Sequence, residues 1–242
     1  MTSLRTLVVI STRNHRQSVT SLIDEALRVS DVDVTVVDDA SPDGTGEAIE
    51  ALSIEEPRIQ VIHNDAPCGM ARSVLTGFET ALDDGYDRVV QMDADQPQQA
   101  RDLPEILRAF DEGADVVVGS RYASGGAGEG AAGGAALLRR GASYAANQYA
   151  RRVLSLDILD VTSGFVGFTC EVIESLIALP ALDTDGYGFL IELKYQAHLR
   201  GFQLVVVPSQ RISRDPELDR ISPRSISRVL WRLAQTRIKT GP

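Results

Sequence analysis

Cysteine, tryptophan and histidine are scarce in this chain: two, one and three among 242 residues. Cys68 and Cys170 alone build neither a disulfide framework nor a thiolate metal cage. His15, His63 and His198 have no spacing that suits a metal site or a triad, and His63 and His198 read as incidental. Long apolar runs are missing too. The stretches around residues 7–10, 34–37 and 116–118 fall far short of the roughly 20 residues a membrane span needs. No basic stretch followed by a long apolar run opens the chain. A secretory leader is therefore not expected, and the reading is a cytoplasmic protein with peripheral membrane contact as its one route to a bilayer. Basic residues are outnumbered, 24 Lys and Arg against 34 Asp and Glu. The resulting net charge of −10 excludes a general nucleic-acid binder.

What is present is a 43% apolar content, enough for a sizeable core. The length suits one α/β domain with a small appendage. Residues 7–10, 32–37, 59–63, 88–92, 114–119 and 203–207 read as strands. Residues 17–29, 46–52, 71–82, 101–112, 137–154, 171–178 and 189–199 read as helices. Such alternation predicts a mostly parallel, Rossmann-like sheet with helices on both faces. Ligands of these sheets bind beyond the carboxyl ends of the strands. Asp38-Asp39, Asp93/Asp95 and Gly119-Ser120-Arg121 all fall at such ends.

The run Val89-Val90-Gln91-Met92-Asp93-Ala94-Asp95 is the most informative. Side chains alternate along a strand, so Asp93 and Asp95 reach one spot only if the strand ends or bends there. Two carboxylates facing open space suit a hard divalent cation that takes its other ligands from water and a phosphate. The ordinary alternative is turn chemistry, since Asp is common where strands stop. Residues 124–136, rich in Gly and Ala, read as a loop. From residue 221 onward there are five basic residues and no acidic one, and residues 222–238 have helical apolar spacing. Two readings stay open for this basic amphipathic helix: it lies on an anionic membrane through residues 222–239, or it docks on the domain with its arginines solvated.

Five segments occur in order: residues 36–45 (VVDDASPDGT), 92–95 (MDAD), 119–122 (GSRY), 160–165 (DVTSGF) and 186–192 (GYGFLIE). Together they resemble glycosyltransferase family 2 and, within it, the dolichol-phosphate (polyprenol-phosphate) mannose synthases. The resemblance covers residues 5 to 215. It implies a GT-A fold over residues 1–215, with a nucleotide-sugar half (1–122) and an acceptor half (123–215), followed by the basic helix in 216–242. It implies inverting transfer of a hexose, mannose first, from a nucleotide-sugar such as GDP-mannose or a UDP-sugar to a polyprenyl or dolichyl phosphate. Mg²⁺ or Mn²⁺ would be held by Asp93 and Asp95, with Gln96 a further candidate ligand. Ser11, Arg13, His15, Asp38, Asp39 and Asp93 would line the nucleotide-sugar site. Asp93, Asp95 and Arg121 would carry the chemistry. Arg121, Arg139, Ser143 and Arg214 would hold the acceptor phosphate.

The chemistry is coherent on its own terms. A cation offsets charge on a departing diphosphate, and arginine forks match phosphate oxygens. A phosphate acceptor is already anionic, so it needs positioning more than a base. The same fold acting on a hydroxyl acceptor needs a base, for which Asp183 and Asp185 are the candidates. A catalytically silent nucleotide-sugar binder is the third reading. The pattern also departs from the family. Ser11-Thr12-Arg13-Asn14-His15 stands for Pro-x-Tyr-Asn-Glu, so His15 replaces an acidic base-reader and leaves donor identity open. Gly69-Met70-Ala71 stands for Gly-Leu-Gly, Pro97 for a polar residue, and Val166 for an arginine.

Overall fold

In a computed structural model of the chain, residues 4–120, 122–123, 147–148, 151–152, 154, 156, 158–177 and 188–209 are described. Seven strands form one sheet: β1 Thr6–Thr12, β2 Asp33–Asp38, β3 Ile59–His63, β4 Arg88–Asp93, β5 Val116–Ser120, β6 Val166–Thr169 and β7 Leu204–Pro208. Their order is β3-β2-β1-β4-β6-β5-β7. All neighbours are parallel except β6, which runs antiparallel to both β4 and β5. The helices among the described residues are α1 Arg16–Val29, α2 Thr45–Glu55, α3 Met70–Asp83, α4 Leu103–Asp111, α5 Cys170–Ile177 and α6 Gly188–Leu199. A 3-10 helix, Pro97–Asp102, leads into α4.

Both faces of the sheet are buried. Leu7, Val9, Val89, Val116 and Val118 pack on one side, with Val74 and Phe78 of α3, Ile173 of α5 and Leu193 of α6. Val8, Ile10, Val34, Val36, Val90 and Val117 pack on the other, with Leu22 and Ile23 of α1, Ile49 of α2 and Ile106 of α4. Successive strand residues thus enter opposite cores, which is why these strands read as continuous apolar runs. Helix α1 follows the matching rule with the other period: Val19, Leu22, Ile23 and Ala26 are its buried residues.

The mostly parallel sheet read from the sequence is there, with two differences. Residues 166–169 form a strand without a sequence signature, because Val-Gly-Phe-Thr is four residues long and shows no alternation. Its reversal matters to the site. An antiparallel β6 starts at the rim where its neighbours end, so the loop before it is delivered to their carboxyl ends. A second difference lies at residues 97–102, where a 3-10 helix occupies the approach to a helix read from residue 101. The positions Arg121, Arg139, Ser143 and Arg214, the alternative bases Asp183 and Asp185, the loop 124–136 and the basic helix of 216–242 lie outside the described residues. So does most of the helix read over 137–154.

Helix α3 lies close on the sheet at Gly77, where a β-carbon would stand 2.3 Å from Val9 Cγ1. Alanine is the better helix former by about 1 kcal/mol. Here, however, the added methyl meets a β-branched side chain fixed in a central strand. Overpacking of this kind costs about 1–3 kcal/mol, so Gly77→Ala is expected to destabilise the protein on balance, read as a lower midpoint in urea with an unchanged slope.

Candidate active site

Register brings the polar strand ends together. Ser11 on β1 pairs with Asp93 on β4, and Thr12 pairs with Asp38 on β2. The ends of β2, β1 and β4 therefore form one continuous rim. β3 ends beside it, with His63 paired to Asp38.

The β4 end behaves as the sequence requires: the strand stops at Asp93, and a turn follows in which the Gln96 amide donates to the Asp93 carbonyl at 3.0 Å. Asp95 is thereby freed from strand alternation. The Gln96 side chain donates to Asp95 Oδ2 at 3.1 Å, which steers that carboxylate. Asp93 is buried. Its amide donates to Gln99 Oε1 at 3.2 Å, and its Oδ1 lies 3.4 Å from Gln91 Nε2. Its carboxylate also sits against the backbone of Gly164: a β-carbon there would lie 2.4 and 2.5 Å from the two carboxylate oxygens. Only glycine leaves that seat open.

The loop that supplies the seat is fastened at several points. The Ser163 hydroxyl donates to the Gly119 carbonyl at 2.6 Å, and Gly119 donates from its own amide to the Phe165 carbonyl at 3.0 Å. The Asn147 carboxamide spans Asp160, accepting from the Val161 amide at 2.9 Å and donating to the Leu159 carbonyl. Lys194 on α6 reaches in from behind and donates to the Ser163 carbonyl at 2.8 Å. Lys194 is 0% exposed. Burial pushes its pKa down to about 8, against the charges of Asp160 and Asp93, which favour the ammonium.

At the β2 end the two aspartates do different work. Asp38 accepts from the Ser41 hydroxyl and from the Ser41 amide at 3.3 Å, and the Ser41 hydroxyl in turn accepts from the Asn14 amide at 3.0 Å. His63 Nδ1 stands 3.6 Å from Asp38 Oδ2, while its Nε2 is 3.0 Å from Glu50. Asp39 instead turns to the loop before α3. It accepts from the Cys68 amide at 2.7 Å, the Gly69 amide at 3.0 Å and Asn64 Nδ2 at 3.0 Å. Burial raises the Asp39 pKa, but these amides, with the Cys68 thiol, outweigh it and hold the carboxyl below the usual range. Directly after these acids, Ala40 has φ of 54°, a left-handed conformation that costs a residue with a β-carbon roughly 1–2 kcal/mol.

The β1 end carries unspent polarity. Both ring nitrogens of His15 and the Thr12 hydroxyl are buried with no hydrogen-bond partner among the described residues. Arg13 is exposed and Ser11 half-buried. Groups left in this state cost free energy unless a ligand completes them.

The structure thus brings Ser11, Arg13, His15, Asp38, Asp39, Asp93, Asp95 and Gln96 to one rim. Gln91, Gln99, Gly164 and Lys194 were not singled out from the sequence, and His63 was read there as incidental. His63 was findable, because strand register alone sets it beside Asp38. Lys194 was not, since a lysine two residues after Glu192 has the spacing of an ordinary helix charge. Among the described residues no group of three or more His, Cys, Asp or Glu gathers as a closed metal site. Two carboxylates, one of them buried and held in place, do fit an open site for Mg²⁺ or Mn²⁺ completed by phosphate and water.

A mostly parallel sheet with one reversed strand, its fourth strand ending in an Asp-x-Asp pair at the binding rim, is the GT-A architecture. The family model described as glycosyl transferase family 2 matches residues 7–177. The polyprenol monophosphomannose synthase of Mycolicibacterium smegmatis is 35% identical over 97% of this chain and 88% of its own. The undecaprenyl-phosphate mannosyltransferase of Micrococcus luteus is 34% identical over 88% of this chain and 85% of its own. A solved mannosyltransferase of Pyrobaculum calidifontis, in complex with GDP-Man and Mn²⁺, superposes with a TM-score of 0.62, covering 96% of this chain and 70% of that one. At 17% identity this last likeness speaks for the fold. The chain belongs to glycosyltransferase family 2 and is a glycosyltransferase.

Asp39 generates a test independent of activity. Its folded-state pKa is depressed, so its contribution to stability is full above the unfolded value near about 3.9 and is lost as pH falls through the folded value. Asp39→Asn is expected to cost about 2 kcal/mol at neutral pH, because the charged acceptor of several amides is lost. In urea titrations the gap between wild type and variant should narrow below about pH 4.

Proposed function

We propose that this chain transfers a hexose, mannose in the first instance, from a nucleotide-sugar to a polyprenyl phosphate, with a divalent cation and inversion at the anomeric carbon. The observation that carries the reading is the Asp93 carboxylate, seated on Gly164 beside Asp95 at the rim. The names of the relatives supply the acceptor class. Asp93 and Asp95 would hold Mg²⁺ or Mn²⁺, which when bound offsets the charge that develops on the departing diphosphate. Gln96 orients Asp95 for that task, and Gln99 fixes the backbone of Asp93.

The β1 and β2 ends take the nucleoside. His15 and Thr12 offer buried groups unpaired among the described residues, and Asp38, braced by Ser41 and His63, offers a fixed carboxylate. Asp39 serves the same end indirectly, by binding the loop at Cys68 and Gly69. Because His15 replaces an acidic base-reader, the donor base is an open variable of this proposal, with GDP-mannose ahead of UDP-sugars. Arg121, Arg139, Ser143 and Arg214 are proposed for the acceptor phosphate. A phosphate acceptor arrives ionised, so the chain has to align it opposite the leaving group rather than deprotonate it. No described helix is long and apolar enough to cross a membrane. The basic residues of 222–239 are proposed to hold the enzyme at an anionic surface where a lipid acceptor resides.

Two measurements test this. Labelled mannose from GDP-mannose should pass into the organic phase with polyprenyl phosphate and Mn²⁺. Label confined to aqueous glycan would move the assignment to a hydroxyl acceptor, and no transfer from any donor would leave only a nucleotide-sugar binder. In thermal-shift screens of GDP-, UDP- and dTDP-sugars, one donor should stabilise the fold with Mn²⁺, and Asp95→Ala should abolish the Mn²⁺-dependent part. An unchanged shift in Asp95→Ala would remove the metal role from this residue.

A further inference from the structure

Lys194 has no place in the chemistry just described, yet its position is costly. An ammonium with no exposed surface is disfavoured unless its surroundings repay it. Here it donates to the Ser163 carbonyl at 2.8 Å, and Asp160, itself 0% exposed, and Asp93 supply the charges that keep it protonated. Ser163 precedes Gly164, whose backbone is the seat of the Asp93 carboxylate. The path from Lys194 to the rim is therefore two residues long.

We propose that Lys194 is a positioning residue for the cation site, clamping residues 160–164 so that Gly164 stays against Asp93. The inference rests on the reading of Asp93 and Asp95 as cation ligands. The loop is held from its other sides by Ser163 on Gly119 and by Asn147 around Asp160. These contacts fix it along the sheet, whereas Lys194 ties it to α6. Since β6 begins just beyond the loop, at Val166, a slip at Ser163 displaces the Asp93 seat rather than dissipating in a flexible segment.

Coulomb's law alone predicts the opposite effect from a clamp. Removing a positive charge near a cation site should favour the cation. A clamp predicts that the cation binds less well, because an outlying contact that orients a ligand carboxylate is worth about 10–100-fold in metal affinity. The charge-neutral pair Lys194→Met with Asp160→Asn separates the two, since it removes one charge of each sign. Mn²⁺ would be titrated into the full chain in the presence of GDP or UDP, whichever stabilises the wild type more, with melting temperature as the readout.

Lys194→Met alone should melt at lower temperature, because it removes a buried positive charge that interacts with Asp160 and Asp93. Adding Asp160→Asn should recover most of that loss. The half-saturating Mn²⁺ concentration of the double variant should nonetheless stay about tenfold above wild type. Recovery of both melting temperature and Mn²⁺ half-saturation would overturn the proposal and leave Lys194 a countercharge only. If neither variant folds, Lys194→Gln is read the same way: a rise in half-saturating Mn²⁺ supports the clamp, and an unchanged or lower value overturns it. A wild type with no Mn²⁺ response would overturn the cation reading itself and take this inference with it. A responsive wild type whose variants keep its half-saturating Mn²⁺ concentration would remove the clamp alone.

Discussion

The contact between the Asp93 carboxylate and the bare backbone of Gly164 is the constraint on which the site depends. It requires two loops, separated by about seventy positions in the sequence, to meet within van der Waals distance. The sheet arranges this by reversing one strand. With β6 antiparallel between β4 and β5, residues 160–165 arrive where β4 and β5 finish. A parallel strand in that slot would begin at the opposite end of the sheet and leave Asp93 without a floor.

Around that contact, buried polar groups serve the rim in two ways. Some are spent inside the protein. Asp39 is consumed by the amides of the loop before α3, and Ser163, Asn147 and Lys194 are consumed by carbonyls and amides of the 160–165 loop. Others remain available: the ring nitrogens of His15 and the hydroxyl of Thr12 have no partner among the described residues. Groups of the first kind make the scaffold rigid, and those of the second kind are disposed for a ligand that replaces water. The left-handed Ala40 follows the two acids, where the chain turns from the end of β2 toward Ser41, whose hydroxyl and amide bond back to Asp38.

Much of this was legible in the sequence because the strands are short, apolar and buried on both faces, and the intervening helices carry the 3.6-residue period. The Asp93–Asp95 pair was legible because a strand that ends in two acids needs a reason to do so. What escaped notice had no local signature. Strand β6 is too short to show a period, and nothing local to Gly164 shows that the Asp93 carboxylate rests on it. Lys194 has the sequence context of a surface charge, and only the burial of α6 through residues 188–197 reveals otherwise. His63 has neither metal nor triad spacing in the sequence, and its place beside Asp38 is set by strand pairing. Asp39 was grouped with Asp38 by adjacency, though neighbouring residues at a strand end face opposite ways.

The departures from the family pattern fall on the donor-base corner, at His15, and on the approach to the cation site, at Pro97. The clasped acids and the seat of Asp93 lie between them. Anomalous diffraction from crystals grown with Mn²⁺ and a nucleoside diphosphate tests the central claim most directly. The account predicts a manganese peak between the carboxylates of Asp93 and Asp95 and the diphosphate, with the Asp93 side chain still resting on Gly164. A peak elsewhere, or bound diphosphate with both carboxylates turned from it, would contradict it.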